Sequence, residues 1–319
     1  MPTMQPLVYI LVLHWRGIEN TRRCLTSVKK LGYQNFRTLL VDNGSDSLDG
    51  DCLRQEFAEI ELLRLDSNRG FSGGCNAGIA YSLEHAADFV WVLNNDTEVR
   101  NDSLSLLVEA ASNDEKAAAL SAAVLDLVPE PTPTRGPGST GINNSANEKT
   151  IPGKGIIDFR RAKSLLKAVT NDQPTACEWL AASNLLLRAQ ALRGETVFDD
   201  RYFLYFEDTE LCHRLNLRGW KCLLVPQARI AHAGGASTND NLQHWRSYYY
   251  TRNRLLFFST YAPFPIKIWT MLAIHAHLIR HRMSLPKKGE RGKRQLKAEL
   301  MGARDFQLGK FGKCEELDA

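Results

Sequence analysis

Short apolar runs ending in polar clusters, with segments of helical period between them, fill the first 125 residues and constrain the fold more than any other feature. The runs at 7–13, 38–41, 60–65, 89–93 and 118–125 are predicted strands, because each is brief, apolar and bounded by polar or turn residues. The segments 20–31, 73–84 and 103–111 are predicted helices. In the first, Cys24, Leu25, Val28 and Leu31 form one stripe behind an Asn20 or Thr21 cap. Strands alternating with helices imply an α/β fold with a mostly parallel sheet covered on both faces. Ligands of such sheets collect beyond the carboxyl ends of the strands. Polar clusters follow the strands there, at 14–16, 42–46 and 94–98.

Beyond residue 125 the texture changes. Residues 129–155 are rich in Pro, Gly and Asn with almost nothing large and apolar, which predicts a lid, a partner-binding segment or a disordered loop. Order resumes at 179–187 and 198–226, and from His244 the pattern is helical and aromatic. Pro263 and Pro265 interrupt it, and an amphipathic helix at 266–281 leads into a basic tail. Residues 1–279 carry 29 Lys and Arg against 30 Asp and Glu, whereas residues 280–313 carry 11 against 3. The expected organisation is one domain over 1–238, with a mobile loop at about 129–156, and a helical region over 239–319 ending in the basic tail.

Composition excludes several classes. A chain 44% hydrophobic and 24% charged is an ordinary globular one. No apolar run reaches the ~20 residues that cross a bilayer, and the N-terminus lacks the basic segment of a signal peptide. Seven scattered cysteines without a Cys-x-x-Cys pair argue against a disulfide framework and a zinc finger, and for a reducing, cytoplasmic setting. Aromatic residues are not interleaved with the cations of the tail, so no nucleic-acid partner is expected.

Five segments could carry chemistry. Asp96 follows a strand, where a carboxylate can share a hard cation with a substrate phosphate; a turn leading to a helix cap explains the same residues. Asp42 could accept from a nucleobase or close a plain Asx turn. Residues 68–78 bring Arg69 and four glycines to the start of a helix, allowing backbone approach to a phosphate or ribose, yet form neither a P-loop nor a dinucleotide fingerprint. Glu207, Asp208 and Glu210 sit among aromatics, where acids either cap a helix or do chemistry. His232 stands in a glycine-rich loop and is a ligand candidate only if Asp96 is one.

The order of these pieces is more specific than any of them. His14-Trp15, Asp42-Asn43-Gly44-Ser45, Asn68-Arg69-Gly70-Phe71, Asn94-Asn95-Asp96-Thr97, Trp179, Glu207-Asp208, Gly219-Trp220 and His232 together resemble the family 2 glycosyltransferases, nearest their bacterial rhamnosyltransferase-like branch, over roughly residues 7–260. The resemblance implies a GT-A-type fold and an inverting, metal-dependent transfer of a sugar. The implied donor is a nucleotide sugar, with dTDP-L-rhamnose favoured. The implied acceptor is a hydroxyl of a glycan or a lipid-linked molecule in cell-surface polysaccharide synthesis. The resemblance assigns Asp208 as catalytic base, and Trp15, Asp42, Arg69, Gly73, Asn76, Asn94 and Asn95 to the nucleotide sugar. It assigns Trp179, Asn184 and Glu207 to the sugar or acceptor pocket, and Asp96 with His232 to Mg²⁺ or Mn²⁺. A UDP-hexose donor, or a catalytically silent nucleotide-sugar-binding protein, are the competing readings. With a transferase in view, residues 266–297 read as a peripheral contact with the cytoplasmic face of an anionic membrane, against a solvated tail.

Overall fold

The computed structural model describes residues 5–45, 48–126, 153–194, 196–232, 243–283 and 289–317. The first half runs β1 (Val8–His14), α1 (Ile18–Val28), β2 (Phe36–Asp42), α2 (Asp49–Glu56), β3 (Glu61–Arg64), α3 (Gly70–Glu84), β4 (Phe89–Asn94), β5 (Thr97–Val99), α4 (Ser103–Asn113) and β6 (Ala117–Asp126). The second half runs β7 (Gly153–Asp158), β8 (Lys163–Ala168), β9 (Thr175–Cys177), β10 (Asn184–Arg188), α5 (Ala189–Leu192), α6 (Glu207–Leu217) and β11 (Lys221–His232). Three helices follow: α7 (Gln243–Tyr261), α8 (Ile266–Met283) and α9 (Glu290–Gln307).

Among the described residues the main sheet has the order β3-β2-β1-β4-β10-β6-β11-β5, with β9 on β11. The first four strands of that order are parallel, and β10 enters antiparallel between β4 and β6. Both faces are apolar, as a parallel sheet covered by helices requires. In β1, Val8, Ile10 and Val12 pack on one side with Cys24, Leu25 and Val28 of α1, while Tyr9 and Leu11 pack on the other with Cys75 and Ile79 of α3. The glycines of α3 serve that packing. A Cβ on Gly74 would lie 2.7 Å from Leu13, and one on Gly78 would lie 2.4 Å from Leu11.

Four local expectations change. The glycine run is not a loop before a helix, since α3 already begins at Gly70. The residues after Asn94 do not lead to a helix cap: a turn at 95–96 opens the short strand β5. His232 does not sit in a loop, because β11 runs on to it. Pro226 falls where the pairing of β11 with β6 slips between Val225 and Arg229, so a residue lacking an N–H is absorbed in an irregularity and the ladder resumes. Finally, the basic segment is not a tail. Helix α9 packs on α7, burying Leu296, Ala298 and Ala303, and Gly302 approaches Tyr248 so closely that a Cβ would meet its carbonyl oxygen at 2.5 Å. Of the expected loop at 129–156, residues 129–152 lie outside the described ones, and 153–156 belong to the β7–β8 hairpin.

The pairing of β10 with β6 depends on one side chain. Backbone partners are Leu186 with Leu120 and Leu187 with Ala119. One step further along, Asn184 extends the ladder with its amide: Oδ1 accepts the Ala122 N–H at 2.9 Å, and Nδ2 donates to Ala122 O and Ser121 Oγ at 3.1 Å each. Asn184 is fully buried. Asn184→Ala therefore strands the buried Ala122 N–H and leaves its carbonyl only the Ser121 hydroxyl, at 3.2 Å, and the expected loss of stability is about 2 kcal/mol. A urea midpoint that falls at unchanged slope is the measurement; an unchanged midpoint refutes it.

Candidate active site

Parallel pairing brings the polar strand ends into one row. His14 is registered with Asp42, and Leu13 with Asn94. Asp42 is buried; its Oδ1 accepts the Ser45 N–H at 3.0 Å, and its Oδ2 lies 3.3 Å from Nε of the exposed Arg64. The Asx turn is thus formed, and the same carboxylate holds a guanidinium at the rim, a residue that its own sequence neighbourhood does not mark. Burial pushes the His14 imidazole below its ordinary value, opposed by Asp42 and Asp49. Trp15 stacks on Trp245 of α7, with ring centroids 6.1 Å apart and planes at 29°, and the Arg16 guanidinium carbon lies 4.1 Å from the Trp15 centroid.

Two of the asparagines turn inward. Asn95 donates to Arg16 O at 2.9 Å and Thr21 Oγ1 at 3.0 Å, tying the turn after β4 to the start of α1. Asn76 donates to Phe198 O at 2.7 Å and Asp200 Oδ1 at 2.9 Å and accepts the Phe198 N–H at 2.9 Å, fixing residues 198–200 to α3. Arg69 is exposed at the start of α3, and Gly73 lies one turn on, toward Arg69 and Asp200.

The sheet register brings Asp96 and His232 together across more than a hundred residues of sequence. β11 pairs antiparallel with β5 so that His232 is opposite Thr97, the residue after Asp96. His232 Nε2 lies 3.1 Å from Asp96 Oδ1, and Asp96 is 7% exposed. His232 also lines a cavity of about 320 Å³ with Trp179, Leu180, Ser183, Ser121 and Leu224. Trp179 is fixed there by donating from Nε1 to Ile156 O at 3.2 Å. Asn184 instead belongs to the sheet, as described above. No cluster of three or more His, Cys, Asp or Glu able to cage a metal occurs among the described residues. Asp96 and His232 fit a cation completed by oxygens of a substrate, as hard divalent ions commonly are.

The third group is the acid cluster at the start of α6. The N-cap of α6 is Phe206, without a side-chain cap hydrogen bond, and the three acids of the first turn have different surroundings. Glu210 is paired with Arg214, Nε to Oε1 at 3.0 Å, and accepts from Tyr261 OH at 2.6 Å. Asp208 accepts from the Ala182 N–H at 3.2 Å, the Thr209 N–H at 2.6 Å and the Thr209 hydroxyl at 3.2 Å. Burial raises its affinity for a proton, and these hydrogen bonds oppose the rise. Glu207 is buried, and its Oε2 has no hydrogen-bond partner among the described residues. Burial, with the neighbouring Asp208 charge, pushes its carboxyl well above the ordinary range.

The backbone that delivers these acids is strained. Phe203, Tyr205 and Phe206 have φ of 62°, 69° and 73°, a left-handed region that side chains of this size avoid. Two adjacent residues of α7 hold the loop. Asn253 Nδ2 donates to the carbonyls of Tyr202, Leu204 and Tyr205 at 2.7, 2.8 and 2.8 Å, and Arg252 Nη2 donates to those of Arg201 and Tyr202 at 3.1 Å each. Both residues are buried. The sequence carries a signal for them: a charged and an amide residue in the middle of an aromatic helical run.

Segment 182–183 joins the groups. Ser183 O accepts from the Asn94 N–H at 3.0 Å and the Thr97 hydroxyl at 3.2 Å, on either side of Asp96, while the next N–H back, that of Ala182, is the one donated to Asp208.

The chain is similar to known glycosyltransferases. The profile of the family described as Glycosyl transferase family 2 matches residues 10–164, and that of Glycosyl transferase family group 2 matches residues 89–286. Similar curated proteins include the N-acetylglucosaminyl-diphospho-decaprenol L-rhamnosyltransferase of Mycobacterium tuberculosis, 28% identical over 274 residues, which span 81% of this chain and 87% of that protein. Rhamnosyltransferase WbbL of Escherichia coli is 24% identical over 71% of this chain and 83% of its own length. Among solved structures, the mannosyltransferase PcManGT of Pyrobaculum calidifontis, in complex with GDP-Man and Mn²⁺, superposes with a TM-score of 0.56 at 11% identity, covering 97% of this chain and 89% of that one.

The state of Glu207 has a measurable consequence. A carboxyl whose affinity for a proton is higher folded than unfolded makes the folded state lose stability as pH rises above its ordinary value of 4.5. Glu207→Gln removes that loss, so the melting temperature of the variant relative to wild type should climb between pH 5 and pH 8. A difference that does not vary with pH refutes the assignment.

Proposed function

This chain belongs to glycosyltransferase family 2 and is a sugar-transferring enzyme with a GT-A-type fold. On that footing we propose that it moves L-rhamnose from dTDP-L-rhamnose to a hydroxyl of a lipid-linked glycan acceptor, with inversion and with a divalent cation. The rhamnosyltransferases among its relatives support the donor, and the diphospho-decaprenol acceptor of the mycobacterial one supports a lipid-linked acceptor.

The observation that carries this reading is the 182–183 segment, whose consecutive residues tie Asp208 to the turn bearing Asp96. A sugar transferase needs those two functions on opposite sides of one carbon. Asp208 accepts the proton of the acceptor hydroxyl while its oxygen attacks the anomeric carbon. The bond from that carbon to the diphosphate oxygen breaks on the far side, which inverts the centre. Partial desolvation raises the basicity of Asp208, and the Ala182 N–H orients it. Mg²⁺ or Mn²⁺ held by Asp96 and His232 supplies charge neutralisation to the diphosphate when bound. Trp15 and Asp42 are assigned to the base, and Arg69, Gly73 and Asn94 to the sugar diphosphate. Asn76 and Asn95 act by holding the walls around it, and Trp179 lines the acceptor side.

Asp208→Asn should lower transfer roughly 100- to 10,000-fold with donor affinity retained. Asp96→Ala should instead weaken donor binding in the presence of Mn²⁺. Product formation from a polyprenyl-diphosphate N-acetylglucosamine acceptor is the assay, run with dTDP-L-rhamnose and with UDP-hexoses. Near-normal turnover by Asp208→Asn refutes the base, and turnover with UDP-hexoses alone refutes the donor.

A further inference from the structure

Helix α8 is apolar on both sides, and only one of them is covered. On the inner side Ile274 is 1% exposed, and Thr270 donates to Phe159 O at 2.7 Å. On the outer side Ile268, Trp269, Leu272, Ile279 and Met283 are 50%, 70%, 57%, 60% and 76% exposed, and Phe264, just before the helix, is 79% exposed. At 100° per residue, Ile268, Ile279, Leu272 and Met283 fall within an arc of about 60°, with Trp269 at its margin. These six are half of the twelve large apolar side chains exposed among the described residues. An apolar stripe on the side of a helix that faces away from the core calls for an apolar setting of its own. Among the described residues no helix is long and apolar enough to cross a membrane.

We propose that α8 docks in the plane of an anionic lipid bilayer, with this stripe in the headgroup–acyl boundary. Charge selects this occupant. Helix α8 contains Lys267, Arg280 and Arg282 and no Asp or Glu, which matches a surface of anionic headgroups. A second copy of the chain is disfavoured by the same fact, because a twofold contact sets this all-positive stretch against itself. Trp269 at the edge of the stripe suits the boundary between headgroups and acyl chains, where indole rings concentrate.

The docked helix is also mechanically linked to the candidate site. Phe159, which accepts from Thr270, packs on Phe257 and Phe258 of α7, and both of those rings pack on Phe206, the residue before Glu207. A surface bound through α8 therefore fixes the height of the acid-bearing loop above the bilayer. The proposal goes beyond the sugar-transfer reading and does not depend on which sugar is moved.

Co-sedimentation of the full chain with phosphatidylglycerol/phosphatidylcholine vesicles, without donor or acceptor, tests it. Wild type should bind, and bind at least tenfold less to phosphatidylcholine alone. Ile268→Glu/Leu272→Glu/Ile279→Glu should weaken binding at least tenfold, with an unchanged melting curve because all three side chains are exposed. Should that variant misfold, Lys267→Gln/Arg280→Gln carries the test, with a severalfold loss that disappears at high salt. Equal binding by wild type and either folded variant overturns the proposal. So does a wild-type dimer that the triple variant dissolves while vesicle binding is absent, which makes the stripe an interface between copies. Transfer to a water-soluble acceptor, read separately, distinguishes failure of the docking surface from failure of the sugar-transfer reading.

Discussion

Three carbonyl oxygens in a backbone stretch that L-residues resist are held by one side-chain amide, that of Asn253. Each residue kept in the left-handed region costs about 1–3 kcal/mol, so the loop before α6 does not hold its shape alone. Arg252 adds two further bonds, and its other arm reaches Gly312 O at 2.7 Å, beyond α9. The N-terminus of α3 contributes from the opposite side, with the Phe71 N–H on Phe203 O at 2.7 Å. The loop is thus closed between the sheet's own helix and the C-terminal helices. The position of Glu207 and Asp208 is a joint property of the two, and a boundary drawn near residue 238 separates two parts that share one strained loop.

That sharing explains which parts of the molecule are legible in the sequence. The strands β1, β2 and β4 and the polar clusters closing them can be read directly, because a buried strand and its terminal turn are written in consecutive residues. His14, Asp42 and Asn94 fall in one row for the same reason: parallel register follows once the strands are identified. Long-range devices leave no such trace. His232 reads as a loop residue because Pro226 ends the apparent strand, and only the bulge that absorbs this proline brings His232 to Asp96. Asn184 is placed in the sugar pocket by the family resemblance alone, yet its amide replaces a rung of the ladder. The hairpin of β7 and β8 is hidden because β8, half exposed along its length, lacks the apolar run of a buried strand.

The acid cluster shows how one short segment produces three kinds of carboxylate. Glu210 is neutralised by Arg214 and is structural. Asp208 accepts three hydrogen bonds yet retains a raised proton affinity, the compromise a general base near neutral pH requires. Glu207 is buried beside it with an oxygen that has no partner among the described residues, in a position where ionisation is opposed both by burial and by its neighbour. Two adjacent carboxyls with environments that hold them apart in proton affinity can carry different tasks.

The composition of the candidate cation site sets a further constraint. On the proposed reading, Asp96 and His232 would be the ligands among the described residues, and most positions of a divalent ion would be left to water or the donor's phosphates. On the proposed reading, cation and donor therefore complete each other's coordination, and linkage makes the effect reciprocal: the factor by which the ion tightens donor binding is the factor by which the donor tightens ion binding. His232 stands in the last register position of β11, opposite β5, so the site is as rigid as that pairing. Asp96, in the two-residue turn between β4 and β5, is fixed on one side by Ser183 and on the other by the Asn95 amide on α1. On the proposed reading the ligands are preorganised, and what would assemble is the substrate around them.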